Sequence, residues 1–411
     1  MENTGRNQGR NTAKNQGQSA GISRARFMAA AVAGVGAAAG LPAGGASASP
    51  AQPSSQPPSP SPSGSLRSAA GTPRGLTHRG VVYTIGAGET PGTAWSERRM
   101  RGDIRAIADD LHADTVEVTG DGVERLNATA SEVAERGLHV WLQPTLGDVP
   151  EREILEHLVE AGRHGERLRK QGAKVTLAVG CEFWLFVPGI VPGADVSERI
   201  DNLQKGNFDV VEMQKRLARF TAKAAAVGRS VFRGKLSYAA MQDPTFENVD
   251  WNLFDIVGID YYSYFPQRAD YVRELRKFLR WGKPLAITEF GTCTFVGAPE
   301  QGGMGWSIVD YDKTPPEIKG NVVRSERVQA AYLTDLLDVF ESMNLYGAMA
   351  FEFITADAPH RPDNPRYDLD MASYAVVKPI KDRPDDPESD WHWEPKEAYH
   401  AVARHYGRAR C

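Results

Sequence analysis

The sequence predicts a closed parallel (β/α)8 barrel, on three observations. From His78 onward, short apolar segments alternate with amphipathic helical segments, the order found in α/β proteins. Eight strand-like segments occur, and the region spans 411 − 77 = 334 residues, a usual length for a barrel with insertions. An open, doubly wound sheet is disfavoured because Pro91 interrupts the glycine-containing loop after the first strand, where a dinucleotide-binding sheet has its glycine-rich turn.

Each predicted strand is a short run of mainly apolar residues, and the helices between the strands are amphipathic. Strands are predicted at Gly80–Ile85, Thr115–Val118, His139–Gln143, Val175–Val179, Lys235–Ala239, Ile256–Asp260, Leu285–Thr288 and Ala348–Phe353. Helices are predicted at Arg98–Leu111, Ala128–Arg136, Glu151–Gln171, Val211–Val227, Tyr271–Leu279 and Ser325–Ser342.

Residues 1–77 are predicted to lie outside the barrel. Basic residues, an apolar run over residues 29–41 and the small residues 46–48 make residues 1–48 an export signal, with a twin-arginine-like or a Sec route left open. The apolar run is too short and too rich in Ala and Gly to favour a membrane anchor. The Ser- and Pro-rich residues 49–77 are predicted as a disordered linker. We therefore expect a protein that is secreted or associated with the cell envelope, without stable membrane insertion after signal removal.

Composition narrows the chemistry. A net charge of −4 gives no reason to expect a nucleic-acid partner. Three cysteines are too few for a disulfide scaffold, and a bridge between Cys181 and Cys293 is disfavoured. The sequence contains neither a His/Cys/Asp grouping with metal-ligand spacing nor a G-x-S-x-G elbow, so we predict no metal, no other cofactor and no serine hydrolase of that type. The oligomeric state is left open.

Two glutamates follow buried strands. Glu289 ends the run that begins at Leu285, and Glu182 follows the run over residues 174–181; both have aromatic neighbours. A carboxylate among apolar neighbours is costly unless it has a use. The strands concerned are the fourth and the seventh, and the carboxyl ends of all barrel strands open on one face. We therefore expect the two side chains to converge there.

Two carboxyls about 5–5.5 Å apart can cleave a glycosidic bond with retention of configuration. Glu289 is the predicted nucleophile, kept ionised by a hydroxyl from Tyr261 or Tyr262, and Glu182 is the predicted acid/base, with a pKa raised by apolar neighbours and by Glu289. Aromatic and polar residues near the strand ends or in a long loop are predicted to bind a carbohydrate: Tyr83, Trp141, Gln143, Cys181, Trp184, Tyr238, Tyr261, Tyr262, Trp306 and Glu352.

Structural explanations compete with these assignments. Each glutamate alone is more readily explained as a surface carboxylate or as half of a salt bridge, and the tyrosines as rim packing. The coincidence of all of them favours catalysis. Glu117 and Glu352 are expected to pair with cations such as Arg79 or Arg366, without a catalytic role.

The same segments resemble those of clan A retaining (β/α)8 glycoside hydrolases, in which the two glutamates follow strands 4 and 7. Lys283–Gly291 is similar to the nucleophile strand, Phe254–Tyr262 to strand 6, and Trp393–Val402 to the closing helix that follows a Pro-Lys turn. The resemblance covers roughly residues 78–408. It implies a retaining O-glycosidase that acts on a polysaccharide or glycoconjugate.

The chain departs from the clan's pattern at two positions. The clan usually has Asn directly before the acid/base, where it binds the sugar 2-hydroxyl; here the residue is Cys181, whose thiol is a poor donor. Strand 8 often carries Trp in the clan, whereas this chain has Phe351-Glu352-Phe353. A non-catalytic carbohydrate-binding barrel, or a hydrolase or lyase of another class, therefore remains an alternative.

Two long connections complete the prediction. Phe295–Val322 is expected to form a wall of the cleft, with Trp306 as a sugar platform, or to be a packed surface excursion. Ala356–Asp390, after the eighth strand, either borders the cleft or covers the side of the barrel.

Overall fold

The computed structural model describes residues 75–86, 95–386 and 388–408. Eight parallel strands close into one barrel, and helices surround it. The predicted (β/α)8 fold is therefore confirmed. The predicted export signal and nearly all of the predicted linker lie outside the described residues.

All eight predicted strands are present, with ends that differ by a few residues. The strands are β1 His78–Ile85, β2 Thr115–Gly120, β3 His139–Pro144, β4 Val175–Cys181, β5 Lys235–Met241, β6 Val257–Tyr261, β7 Leu285–Phe290 and β8 Gly347–Ala350. Their order around the barrel is β1-β8-β7-β6-β5-β4-β3-β2. The main difference from the prediction is at β8, where the regular strand stops at Ala350 although the amide of Phe353 still donates to the carbonyl of Val82 in β1.

The predicted helices are also found, and three of them begin at a polar cap. Ser96, Asp209 and Ser325 each accept a hydrogen bond from the backbone amide three residues on, which satisfies a donor that the first helical turn leaves free. The helices are α1 Glu97–Asp109, α2 Val123–Glu135, α3 Glu151–Lys170, α4 Phe183–Phe186, α5 Val196–Gln204, α6 Val210–Val231, α7 Arg268–Leu279, α8 Glu326–Ser342 and α9 Glu397–Arg408. The short helices α4 and α5 were not predicted.

Close approach of neighbouring strands depends on a glycine. Gly120 at the end of β2 has φ +128°, and a Cβ built there would lie 1.6 Å from the carbonyl oxygen of Ile85 in β1. No other residue type fits at this point. The carboxyl ends of β1 and β2, which border the mouth of the barrel, therefore depend on a residue without a side chain.

The long connections form ordered structure at this mouth. Phe295–Val322 contains the 3₁₀ helix Pro299–Ile308 and a pairing of Val309–Asp310 with Glu317–Ile318. The connection after β8 contains short 3₁₀ turns, Pro365–Tyr367 and Leu369–Ala372, and an antiparallel hairpin, Val377–Lys381 with Trp391–Pro395.

A buried ion-pair network fixes the second connection to the barrel. Asp370 pairs with Lys396 at 2.8 Å and with Arg324 at 2.8 Å, and both Asp370 and Lys396 are completely buried. Arg324 also pairs with Asp368, which in turn accepts from His360. Among the described residues, no helix combines the length and apolar character that crossing a membrane requires.

Candidate active site

The two predicted catalytic glutamates lie at the carboxyl ends of β4 and β7. Glu289 is the fifth of the six residues of β7 and lies opposite Asp260 of β6 in the strand register. Glu182 directly follows β4 in the left-handed region, at φ 34° and ψ 59°, and begins the short helix α4. Both side chains are buried, with 1% exposure each.

Glu289 has one occupied and one free carboxyl oxygen. The Tyr262 hydroxyl donates to Oε2 at 2.8 Å, whereas Oε1 is buried without a hydrogen-bond partner. Burial is the main cause that raises the pKa of Glu289 well above its ordinary value, followed by the charges of Asp260, Glu182 and Glu117; the Tyr262 hydrogen bond lowers it. Of the two tyrosines considered, Tyr262 is thus the one that contacts Glu289.

Both oxygens of Glu182 are buried, and no group in the described part of the chain forms a hydrogen bond with them. Burial raises the pKa of its carboxyl well above the ordinary value, and the charges of Asp260 and Glu247 add to this effect. A carboxyl in this environment retains its proton at a pH where an exposed glutamate has lost it. That is the property a general acid needs.

Glu247 fixes residues next to Glu182 through hydrogen bonds. Its carboxyl accepts from the Tyr238 hydroxyl, from Trp184 Nε1 at 3.1 Å and from the Met241 amide at 2.7 Å. The Tyr238 hydroxyl also accepts from the Phe183 amide at 2.8 Å. Tyr238 and Trp184 therefore fix the turn that carries Glu182, and the structure gives them this positioning contact where the sequence predicted sugar contacts.

Tyr83 and Tyr261 point away from Glu289, which corrects their predicted role. The Tyr83 hydroxyl donates to Asp103 of α1 at 2.8 Å, and the Tyr261 hydroxyl donates to Glu274 of α7 at 2.7 Å. Successive residues of a strand alternate between the inner and the helix-facing side of the barrel. Both tyrosines lie on the helix-facing side and contact the outer layer.

The expected cation partners of Glu117 and Glu352 are engaged elsewhere. Arg79 pairs with Glu341 at 2.9 Å, and Arg366 pairs with Glu317 at 2.6 Å. Glu117 is fully buried with both oxygens unpartnered, so the predicted ion pair is wrong.

Glu352 has two hydroxyl partners in place of a cation. It accepts from Thr84 at 2.5 Å and from Thr355 at 2.7 Å. Burial raises the pKa of Glu352 to about 7, against these two hydrogen bonds.

Three other predicted residues are buried or partly buried without a partner for one polar atom. Trp141 and Gln143 lie on β3; Gln143 donates to Thr119 at 3.1 Å, and its Oε1, like Trp141 Nε1, has no partner. Trp306 packs against the core and stacks at a tilt on Tyr311, 6.1 Å between ring centroids. Tyr374 connects the loop of Trp306 to the Glu289 side of the site: its hydroxyl donates to the Gly302 carbonyl, and its ring centroid lies 5.6 Å from that of Tyr262.

Asp260 was recognised as a residue at the end of β6 but was not predicted for the site. It accepts from Thr288 at 2.7 Å and from the Cys181 thiol at 3.4 Å. Three potential metal-ligand atoms, one each from Cys181, Asp260 and Glu289, lie within 4.8 Å of one another. Among the described residues near the site, these three could together hold a cation. Cys181 and Cys293 are both free thiols. Since inner residues alternate with outer ones, placing Tyr261 outward would have placed Asp260 inward.

The site is therefore a set of buried carboxyls at the mouth of a (β/α)8 barrel. Among the described residues, Glu117, Glu182 and Glu289 have unpartnered carboxyl oxygens, and Glu289 also accepts a hydrogen bond from a tyrosine. Solved structures that are similar to this one share the barrel scaffold. Two structures of a GH113 beta-1,4-mannanase, one of them a complex, superpose with TM-scores of 0.52 and 0.54 at 13% and 12% identity, and the matches cover 81% of this chain and 99% of each of those chains.

The GH113 beta-mannanase AaManA from Alicyclobacillus acidocaldarius, in complex with ManMIm, gives a TM-score of 0.51 at 14% identity, with 81% and 98% of the two chains covered. At this identity the likeness establishes a shared fold and does not transfer an activity. A scan against protein-family models finds no match, and a comparison with curated proteins finds no significant relative.

Proposed function

We propose that the protein is a retaining glycoside hydrolase that cleaves O-glycosidic bonds of a polysaccharide or glycoconjugate, with Glu289 as nucleophile and Glu182 as acid/base. The observation that carries the proposal is the asymmetry of the two carboxyls. Glu289 keeps a hydroxyl donor that favours its ionised form, whereas Glu182 has no donor and is surrounded by apolar groups and negative charge. One group is thus suited to attack and the other to carry a proton.

In the first step the Glu182 carboxyl gives its proton to the leaving oxygen, while the ionised Glu289 bonds to the anomeric carbon and the glycosidic bond breaks. In the second step Glu182, now a carboxylate, takes a proton from water; the water oxygen bonds to the anomeric carbon, and the bond to Glu289 breaks. Two inversions give net retention. The positioning by Tyr238 and Glu247 keeps Glu182 in place through both steps.

The fold supports a carbohydrate substrate, because the similar solved structures are described as mannanases; which sugar this chain accepts is a separate question. Export is proposed on the N-terminal sequence pattern alone, which predicts a secreted or envelope-associated protein.

The test uses Glu289→Gln and Glu182→Gln with a panel of activated aryl glycosides. We expect each substitution to reduce turnover by about 10³-fold or more, in the range seen when a group that acts as part of a catalytic unit is removed. Glu289→Gln should also abolish covalent labelling by a fluorosugar. The product anomer, followed by NMR, should keep the substrate's configuration.

Glu274→Gln is the matched control. Glu274 accepts a hydrogen bond from Tyr261, just as Glu289 accepts one from the next residue, Tyr262, but Glu274 lies on the outer side of the barrel. This variant should retain normal turnover. Full activity of Glu289→Gln, or an inverted product, would contradict the proposal.

A non-catalytic carbohydrate-binding barrel is the second candidate. It is favoured by Cys181 at the position before Glu182 and by the nearly complete burial of both glutamates. In that case glycans would bind with a measurable Kd, no panel member would be hydrolysed, and Glu289→Gln would leave the affinity almost unchanged.

A further inference from the structure

The mouth of the barrel contains buried acids without a basic partner. Glu117, Glu182, Asp260 and Glu289 are each 0–1% exposed. Within residues 75–86, 95–386 and 388–408, no Lys, Arg or His forms an ion pair with any of these four acids. Buried negative charge is strongly unfavourable unless protons or a cation neutralise it. The proposed mechanism explains a proton on Glu182 and a charge on Glu289, but it leaves Asp260 and Glu117 without a role.

Asp260 accepts hydrogen bonds that favour its ionised form, although burial, the larger effect, raises the pKa of its carboxyl to about 7. Thr288 donates to Oδ1 at 2.7 Å and the Cys181 thiol donates to Oδ2 at 3.4 Å, so both oxygens act as acceptors. The residue lies opposite Glu289 in the register of β6 and β7. When the neighbouring carboxyls of Asp260 and Glu289 are both ionised, they repel each other unless a positive group lies between them.

Independent evidence for a ligand comes from unpartnered buried oxygens. Glu289 Oε1 and both oxygens of Glu117 are buried without a hydrogen-bond donor among the residues that the structure describes. Glu117 is close enough to Asp260 and Glu289 for their charges to interact. Buried acceptors are almost always satisfied, so these oxygens indicate donors that a bound molecule supplies.

We propose that the sugar bound at Glu289 carries a protonated amine on the carbon next to its anomeric carbon, so that the substrates are glycosides of 2-amino-2-deoxy sugars. This inference rests on the proposed function, because the nucleophile fixes where the anomeric carbon lies. In this proposal the ring is oriented so that the substituent on the next ring carbon faces Asp260 and Cys181, whose ligand atoms lie within 4.8 Å of a Glu289 oxygen.

An ammonium group matches this surrounding chemically. It offers three N–H donors and one positive charge, while Asp260 and the free Glu289 oxygen offer acceptors and negative charge. An N-acetylated amine has no charge and only one N–H, and a hydroxyl has no charge. The small thiol of Cys181 makes no demand for a donor from the ligand.

The test compares three 4-nitrophenyl glycosides that differ only at this carbon, bearing an amine, an acetamide or a hydroxyl, at a pH where the amine is protonated. Because a hydrogen bond to a charged group is worth a factor of about 10–100, we expect kcat/KM for the amine to exceed that for the hydroxyl by about that factor. Asp260→Asn should abolish most of this preference, and Glu117→Gln should reduce it. Glu274→Gln, outside the barrel, should leave the ratio unchanged. A thermal melt of each variant separates misfolding from a change in selectivity.

The outcomes separate the two proposals. Equal or better hydrolysis of the hydroxyl or acetamide substrate would overturn the amine inference and leave the hydrolase proposal intact. If no substrate is hydrolysed, the hydrolase proposal fails, and calorimetry with glucosamine and glucose then decides the inference: binding of glucosamine alone, lost in Asp260→Asn, supports an amine site, and equal or no binding overturns it. Stoichiometric binding of Zn²⁺ from zinc chloride that Asp260→Asn abolishes would identify a metal site and would also overturn it.

Discussion

Replacing Tyr262 by Phe removes the only hydrogen bond that an oxygen of Glu289 accepts within the described part of the chain. The bond favours the ionised carboxyl, so its loss raises the pKa of Glu289 further. A hydrogen bond to a charged group contributes about 1.5–3 kcal/mol, and 1.36 kcal/mol corresponds to one pKa unit, which gives a rise of about 1–2 units. If Glu289 must be ionised to attack, activity should be lost on the acidic side up to a correspondingly higher pH.

The assay is the pH profile of kcat/KM on an activated aryl glycoside. The acidic limb should move upward by about 1–2 pH units, and activity at a pH below that limb should fall by about 10–100-fold. Tyr261→Phe is the matched control because the same substitution at the neighbouring residue removes a bond to Glu274 outside the barrel. It should reduce stability by about 1 kcal/mol and leave the profile in place. An unchanged acidic limb in Tyr262→Phe would refute the assignment of Glu289 as the group that must ionise.

Three further predictions concern stability and positioning. The pKa of Glu352 rises from 4.5 to about 7 on folding, so its contribution to the free energy of unfolding should be highest below pH 4.5 and should fall by about 3 kcal/mol as the pH rises through 7. Urea unfolding of Glu352→Gln should lack this decrease, and parallel pH curves for the two proteins would contradict the prediction. Tyr238→Phe removes both a donor to Glu247 and the acceptor of the Phe183 amide. We therefore expect the free energy of unfolding to fall by about 2–3 kcal/mol, and kcat to fall with little change in KM. A change in KM alone would argue against a positioning role. Gly120→Ala should prevent folding because its Cβ would meet the Ile85 carbonyl, whereas Gly102→Ala in α1, which has open space, should be neutral or stabilising by up to about 1 kcal/mol; circular dichroism of both variants checks this.

The barrel could be predicted because its strands carry their own signal. A strand that is covered on both faces has a short run of apolar residues as its sequence. The runs that precede Glu182 and Glu289 therefore predicted both the strands and the positions of the two acids at the strand ends. Of the two tyrosines predicted as donors to Glu289, the structure places Tyr262 in contact with its carboxyl. What these predictions share is that the required information lies within about ten consecutive residues.

The directions of side chains were harder to predict, because a shift of one residue exchanges the inner and outer faces of a strand. Tyr83 and Tyr261 were assigned to the site by their closeness to strand ends, and both face helices. Partners that are distant in sequence were also missed: nothing local in the sequence shows that Arg79 pairs with Glu341, 262 residues away, and leaves Glu117 alone.

The composition of the inner layer decides how this site can work. Since the charges of the acids at the mouth interact, an apparent pKa from kinetics describes the coupled set, and its shift on replacing Tyr262, which donates a hydrogen bond to Glu289 alone among these acids, reports the contribution of Glu289. Burial raises the pKa of Asp260 to about 7 and that of Glu289 well above its ordinary value, so near neutral pH protons compete with any bound cation for these carboxyls. A neutral sugar would leave them to protons, whereas a cationic sugar would favour the ionised form of both carboxyls. The contact that selects the substrate would therefore also favour the ionised form of Glu289. Binding of a cationic sugar and ionisation of Glu289 would then be thermodynamically coupled.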